Sequence, residues 1–296
     1  MYSGIKKGFM QNENRILLSI VIPHFNSADS LSKLLSTIPD EPQIEVIVVD
    51  DHSTKKLEEY LDCRQKYEKG NVRFLKNGLG KKSAGAARNT GIRHAKGKYL
   101  LFADADDWFV GDFWSIVQRN IVDGADIVYF APISQKESGK KSSRHVYYER
   151  LVNEYLRNST YQNELKLKYL YCSPCSKLIR RSVVVKNCIY FDEIQFSNDM
   201  LFAAKLGNVV TKVKVSDDTI YCIWEHRGSL TTNKSETAMM MRQKVYCKYY
   251  FYLRKTLDIR DFRLLGFTAK EDWRQIKLMI SAQWYECQHG VKRKSI

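Results

Sequence analysis

Between residues 16 and 133 the apolar and polar positions follow two alternating periods. "ILLSIVIP" (16–23), "IEVIVVD" (44–50), "VRFLKN" (72–77), "KYLLFA" (98–103) and "ADIVYFAPI" (125–133) are short apolar runs rich in β-branched or aromatic residues, which predict buried strands. Between them, "ADSLSKLLSTI" (28–38), "KKLEEYLDCRQKYEK" (55–69), "AGAARNTGIRHA" (84–95) and "GDFWSIVQRNI" (111–121) carry apolar residues at helical spacing. Asp29 or Ser30 is available to cap the first helix, and Gly70 ends the second. Apolar strands alternating with helices predict a mostly parallel sheet covered on both faces, a Rossmann-like α/β architecture.

The pattern breaks at "ISQKESGKKSSRH" (133–145), polar and basic, which reads as a surface loop. Helical segments near 147–170 follow, then "VVVKNCIYFDEIQFSNDMLFAAKLG" (183–207) and two short strands, "KVKVSDD" and "TIYCIWEH". From 237 onward the chain reads as a helical extension, in which "WRQIKLMISAQW" (273–284) aligns Trp273, Ile276, Ile280 and Trp284 on one face.

Composition narrows the class. Of 296 residues, 44% are hydrophobic, enough for a sizeable core, yet no apolar run approaches the ~20 residues of a membrane span. No small-residue cleavage site follows the first apolar run, and seven scattered cysteines suit reduced thiols, so a cytoplasmic protein is expected. "YCSPCSK" holds the one CxxC, without a second Cys/His pair to complete a zinc knuckle; buried packing is its simpler role. A net charge of +15 asks for an anionic partner, and residues 239–296 hold thirteen Lys and Arg against five acidic residues, a surplus of eight. The basic, aromatic "KVYCKYYFYLRK" (244–255) is either a core helix with a solvated face or a surface for anionic membrane, which would make the protein peripheral on the inner face of the cell membrane. A nucleic-acid-binding module is not expected: there is no reading helix or aromatic RNA-binding motif, and acidic clusters at the crevice repel phosphate.

Those acidic clusters carry the chemistry. Asp50-Asp51 and Asp104-Asp106-Asp107 fall at the carboxyl ends of predicted parallel strands, where such sheets bind ligands. Two Asp separated by one residue can both reach one hard divalent cation, Mg²⁺ or Mn²⁺, although an isolated DxD is more often a solvated turn. An Asp at 51 can accept from a ribose or base, or cap the next helix. In "SAGAARNTGI" (83–92) small residues such as Gly85 allow close approach to a helix start, and Arg88 can serve a diphosphate or an acidic neighbour. Neither a GxGxxG fingerprint nor a P-loop is present, so phosphates would depend on the metal.

"LSIVIPHFN", "IEVIVVDDHS", "GAARNTGIRHAKGKYLLFADADDW" and "FSNDMLFAAKLG", in this order and spacing, resemble a family-two inverting glycosyltransferase of GT-A fold, over residues 16 to about 232. The resemblance implies a nucleotide-sugar donor (UDP-sugar foremost), a divalent cation, and a glycan or lipid-linked oligosaccharide acceptor in surface polysaccharide synthesis. It divides the chain into a GT-A domain at 1–232, with a nucleotide-binding half (16–133) and an acceptor-binding half (134–232), followed by a basic helical extension at 233–296. Carried over by position, Pro23, Phe25 and Asn26 line the nucleotide site with Gly85 and Arg88, and Asp51 contacts base or ribose. Asp104 and Asp106 match the DxD, Asp106 being the surer metal ligand, and His226 is a candidate third ligand. Asp199 falls where the family has its catalytic base; the residue before it is Asn198 rather than the family's Glu. His24 and His52 read as structural or base-adjacent. A nucleotidyltransferase and a catalytically inactive partner subunit are the alternatives.

Overall fold

Strand β1 (Leu18–His24) is buried along its whole length, as are β2 (Ile44–Asp50) and β4 (Tyr99–Phe102), because each is covered on both faces. Leu18, Ile20 and Ile22 enter one core with Ile44, Val46, Val48, Tyr99 and Leu101. The alternate positions Val21, Ile47, Val49, Leu100 and Phe102 enter a second core on the opposite face. A period of two with both faces apolar is what makes the runs continuous in sequence. Each fully buried Leu, Ile or Val contributes about 1.5–3 kcal/mol. The structure is a computed structural model that describes residues 16–78, 81–121, 124–226, 233–268, 270–271, 273–275 and 277.

Helix α1 (Ala28–Ser36) follows β1, and α2 (Leu57–Tyr67) follows β2; Leu31, Leu34, Leu35 and Cys63 pack into the first core. The cap of α1 is Ser27, not Asp29 or Ser30, and its side chain makes no capping hydrogen bond. After β3 (Val72–Lys76), helix α3 (Ala84–His94) crosses the second face close to β1: a Cβ on Gly91 would stand 2.3 Å from Val21 Cγ1. Ser83 caps α3, accepting from the Ala86 N–H at 3.1 Å.

Strand β5 (Trp108–Phe109) and helix α4 (Phe113–Asn120) come next. The single run expected at 125–133 is cut in two. β6 (Ile127–Phe130) belongs to the main sheet, whereas β7 (Ile133–Lys136) pairs elsewhere, so the expected surface loop 133–145 begins as a strand. Helices α5 (Val146–Arg157) and α6 (Tyr161–Leu170) are followed by β8 (Lys177–Arg180), α7 (Arg181–Lys186), α8 (Met200–Val209), β9 (Val213–Ser216) and β10 (Tyr221–Glu225). Helix α9 (Glu236–Thr256) and α10 (Ile259–Leu264) complete the described elements. Of the face expected at 273–284, Ile276, Ile280 and Trp284 lie outside the described residues.

The seven-stranded sheet has the order β3-β2-β1-β4-β8-β6-β9, parallel except where β8 runs antiparallel between β4 and β6. A smaller sheet, β5-β10-β7, leans on α1, where the Lys33 ammonium sits 3.9 Å over Trp108 and 4.8 Å over Trp224. Helices α9 and α10 pack on α6 and α8 through a third core that joins Tyr249, Tyr250, Leu253 and Phe262 to Leu165, Tyr169 and Ala204. Among the described residues no helix is long and apolar enough to cross a membrane.

Candidate active site

The strand order turns back on either side of β1: β2 lies on one flank and β4 on the other, with chain connections leading away in both directions. At such a switch point the loops after the strands part and leave a crevice. The register brings His24 opposite Asp50 and Val21 opposite Phe102, so the carboxyl ends of the three strands meet on one edge. A cavity of about 1200 Å³ opens there. Its walls include Pro23, Phe25, Asn26, Asp51, Arg88, Asp104, Asp106, Asp199 and His226, nine of the ten residues singled out in sequence. Gly85 is the exception. A Cβ there would meet the Asp192 carbonyl oxygen at 2.1 Å, so the glycine lets α3 touch the segment before Asp199.

The loops after β1 and β2 are cross-braced. His24 Nε2 accepts from the Ser27 N–H at 3.2 Å, which leaves the proton on Nδ1 to donate to Asp50 at 3.0 Å. Its ring stacks on Tyr60, with centroids 4.7 Å apart. His24 is therefore structural, and its bond is one cause, after the opposing effect of burial, of an Asp50 pKa below the ordinary value. Asn26 holds a left-handed backbone (φ 51°), and its side-chain oxygen accepts from the Thr54 and Lys55 N–H groups at 2.8 Å. The Asn26 amide thus ties the β1 loop to the β2 loop. Asp51 accepts from Asn77 at 2.7 Å, and burial raises its pKa. Phe25 is 45% exposed at the mouth, with the Lys82 ammonium 4.1 Å above its ring. An exposed aromatic beside a cation is a surface on which a base can stack.

The tight turn after β4 sorts its three aspartates into different roles. Asp107 is buried and committed: one oxygen accepts from Tyr221 Oη and the other from the Trp224 N–H, both at 2.7 Å. Burial, then Asp106 and Asp104, push its pKa well above the ordinary value. Asp106 points outward, its Oδ2 2.8 Å from His226 Nε2, and burial followed by Asp104 raises its pKa while His226 opposes the rise. Asp104 is 42% exposed and pairs with Arg88 at 2.5 Å. Carboxylate oxygens of Asp104, Asp106 and Asp107 all lie within 4.8 Å of one another. Such crowding of acid, with outward-facing oxygens and an imidazole alongside, suits a hard divalent cation. Both Asp107 oxygens are engaged by Tyr221 and Trp224, Asp104 is paired with Arg88, and His226 stands beside Asp106 at the edge of the group.

Arg88 links this turn to the far wall. It is buried, donates to Asp104 and, at 2.9 Å, to Asn198 Oδ1, and its Nε has no hydrogen-bond partner. Burial works against its charge, but Asp104 and its other neighbours outweigh burial and hold its pKa above the ordinary value. Asp104 is the acidic neighbour that the sequence offered to Arg88. Asp199 stands at the start of α8, with no capping bond from its side chain and no side-chain hydrogen bond among the described residues. Burial raises its pKa, and Arg88 pulls it back. Behind it, Lys177 is fully buried, donates to the Tyr171 carbonyl and lies 4.4 Å from the Tyr171 ring; burial drops its pKa to about 7. The six described cysteines are free thiols.

Sequence reasoning missed the opposite wall. Arg144, Tyr147, Arg242 and Tyr246 line it, while Lys82, also missed, sits over Phe25 on the near side. They come from distant segments, and the aromatic, basic composition of α9 is a signal for Arg242 and Tyr246 alone.

The sequence model described as "Glycosyl transferase family 2" matches residues 19–187, more than half of the chain. Glycosyltransferase GlyA of Streptococcus pneumoniae is 27% identical over 72% of this chain and 31% of its own length. The poly(ribitol-phosphate) β-N-acetylglucosaminyltransferase TarP of Staphylococcus aureus is 25% identical over 74% of this chain and 67% of its own. The chain thus spans under a third of GlyA but two thirds of TarP. Among solved structures, S. aureus TarS 1–349 in complex with UDP-GlcNAc superposes with a TM-score of 0.65 at 21% identity, covering 84% of this chain and 70% of that one. Mannosyltransferase PcManGT from Pyrobaculum calidifontis, in complex with GDP-Man and Mn²⁺, gives 0.61 at 16% identity over 95% and 77%. At these identities the structural likeness is one of fold. Sequence match and sheet topology agree, and the chain belongs to glycosyl transferase family 2, in its GT-A fold.

Proposed function

We propose that this protein transfers a sugar from a nucleotide-sugar, a UDP-sugar foremost, to a hydroxyl of a glycan or lipid-linked acceptor in surface polysaccharide synthesis, with inversion and with a divalent cation. One observation carries the reading: Asp199, a carboxylate without a side-chain hydrogen bond, shares a cavity with the Asp104–Asp106–His226 group. In this reading Asp51 and Phe25 hold the nucleoside, with the ring of Phe25 against the base. Asp199 takes the proton from the acceptor hydroxyl as that oxygen attacks the anomeric carbon, and a single displacement inverts it. Asp104, Asp106 and His226 hold the cation, which when bound supplies compensation for negative charge on the departing diphosphate. Arg88 pairs with Asp104 and, through Asn198, fixes the segment that carries Asp199. UDP as the donor nucleotide is supported by the UDP-GlcNAc bound to TarS, and a cation by the Mn²⁺ of PcManGT.

The test is a thermal melt against UDP-, GDP- and CDP-sugars, each with and without Mn²⁺. Stabilisation by one nucleotide is expected only with metal and is lost in Asp106→Ala. Asp199→Asn should keep that stabilisation while its turnover falls by roughly 10²–10⁴. A melt indifferent to every donor, or an Asp199→Asn protein with full turnover, would sink the reading.

A further inference from the structure

The turn that carries Asp104, Asp106 and Asp107 closes on itself, the Asp107 N–H donating to the Asp104 carbonyl at 3.0 Å. It joins β4 of the main sheet to β5 of the small one and belongs to neither strand. What holds it from outside comes from β10, 114 residues further along the chain.

Tyr221 Oη makes two bonds to the turn at once. It accepts from the Asp104 N–H at 2.8 Å and donates to Asp107 Oδ2 at 2.7 Å, so one oxygen ties the first aspartate to the last. The Trp224 N–H takes the other Asp107 oxygen, and His226, just past the strand, stands 2.8 Å from Asp106. β10 and the residue after it thus touch all three aspartates. The strand also pairs with β5, Tyr221 opposite Phe109 and Cys222 opposite Trp108, which fixes the chain where the turn ends.

We propose that Tyr221 is a positioning residue for the divalent-cation site: its hydroxyl fixes the spacing of Asp104 and Asp107, and with it the direction in which Asp106, between them, presents its carboxylate. The inference rests on the cation-dependent transfer reading above, and adds to it a residue outside the aspartate motif.

Packing does not account for the hydroxyl. The Tyr221 ring is fully buried in the first core with Phe109, Ile220 and Ile223, and phenylalanine would fill the same space. A hydroxyl taken out of water costs free energy unless it is bonded, and this one is bonded to the turn at both ends. The two bonds cannot be exchanged. A backbone N–H only donates, so the phenolic proton is committed to Asp107. Removing the oxygen leaves an N–H and a carboxylate oxygen of the same turn each short of a partner. Groups that orient metal ligands from behind change metal affinity by about 10–100-fold when they are lost.

The test reads cation binding directly, without turnover. The full-length protein is titrated with Mn²⁺ in excess UDP, GDP or CDP, and the free ion is followed by its electron paramagnetic resonance signal, which is lost on binding. Tyr221→Phe is expected to raise the Mn²⁺ dissociation constant by roughly 10–100-fold. Phe109→Leu serves as the comparison, since that ring lies 5.6 Å from the Tyr221 ring but makes neither hydrogen bond. Both variants should melt below the wild type in metal-free buffer, still in one transition, while Phe109→Leu keeps its Mn²⁺ affinity. On an Asp107→Asn background, Tyr221→Phe should add little further loss, because the two act as one pair. Wild-type affinity in Tyr221→Phe, an equal loss in Phe109→Leu, or full additivity with Asp107→Asn overturns the inference and leaves the transfer reading intact. If the wild type itself leaves the Mn²⁺ signal unchanged with every nucleotide, the cation of the transfer reading is refuted, and this role for Tyr221 falls with it.

Discussion

Arg88 and Asp199 show how one buried charge can set the working range of another. As the proposed base, Asp199 would have to be ionised to accept a proton, and burial raises its pKa from the ordinary value of 3.8 while Arg88 opposes the rise. The sign follows: activity is lost as pH falls through the raised Asp199 pKa and is complete above it, so the acid limb of kcat/KM lies above the ordinary aspartate range. Replacing Arg88 with Met removes the opposing charge, and the limb should move to higher pH. Position along the pH axis separates this effect from a simple loss of active protein, which lowers the plateau without moving the limb. A limb that stays put in Arg88→Met would show that Arg88 does not tune Asp199. Asn198 belongs to the same set of contacts: its neutral oxygen accepts from Arg88, so the position where the family carries Glu is filled by a group that anchors the arginine without adding a third carboxylate.

At the scale of elements, α3 is the piece that joins sheet to site, and its small residues are what allow it. Gly91 lies against Val21 of β1, where a Cβ would stand 2.3 Å from Cγ1, and Gly85 lies against the Asp192 carbonyl. Gly91→Ala must push α3 off the sheet and is expected to destabilise by about 1–3 kcal/mol, despite the better helix propensity of Ala. Chemical denaturation measures this; an unchanged midpoint would mean the helix yields without strain. The small residues of "AGAARNTGI" were legible in the sequence as a signal of close approach, and so were the strands β1, β2 and β4, because strands buried on both faces leave unbroken apolar runs. β8 and β7 were not. β8 enters the sheet with Lys177 as its first residue, its charge buried under tyrosine rings, and β7 reads "ISQK", an exposed-edge pattern with one buried position. Their partners are supplied by tertiary structure, which local periodicity does not encode. The carboxylates of the site were legible because strand ends in a parallel sheet have a known destination. The commitment of Asp107 to Tyr221 and Trp224 was not, since its partners lie 114 and 117 residues away in the chain.

For the whole molecule the open question in the sequence was the basic C-terminal stretch, read either as core or as a surface for membrane. In the fold, α9 buries Val245, Cys247, Tyr249, Tyr250 and Leu253, and its Tyr249 hydroxyl donates to the Tyr169 carbonyl of α6 at 2.7 Å. α10 locks it in place: Phe262 is fully buried, with its ring centre 5.2 Å from that of Tyr250 and 4.8 Å from that of Phe267. Because the same helix supplies Arg242 and Tyr246 to the cavity wall, loosening it should be felt both in stability and in the shape of that wall. Phe262→Ala removes a ring from a packed aromatic cluster and is expected to destabilise by about 3–5 kcal/mol. If α9 and α10 share one cooperative unit with the sheet, the variant melts in a single transition at lower temperature. Its stabilisation by a nucleotide donor should be retained, because Asp51, Phe25 and Asp106 lie on the other wall. If the helices were instead an appendage, the main transition would stay where it is and a separate, earlier one would appear. Differential scanning calorimetry with and without donor distinguishes the two, and a lowered single transition would establish that the segment completing the cleft also holds the fold together.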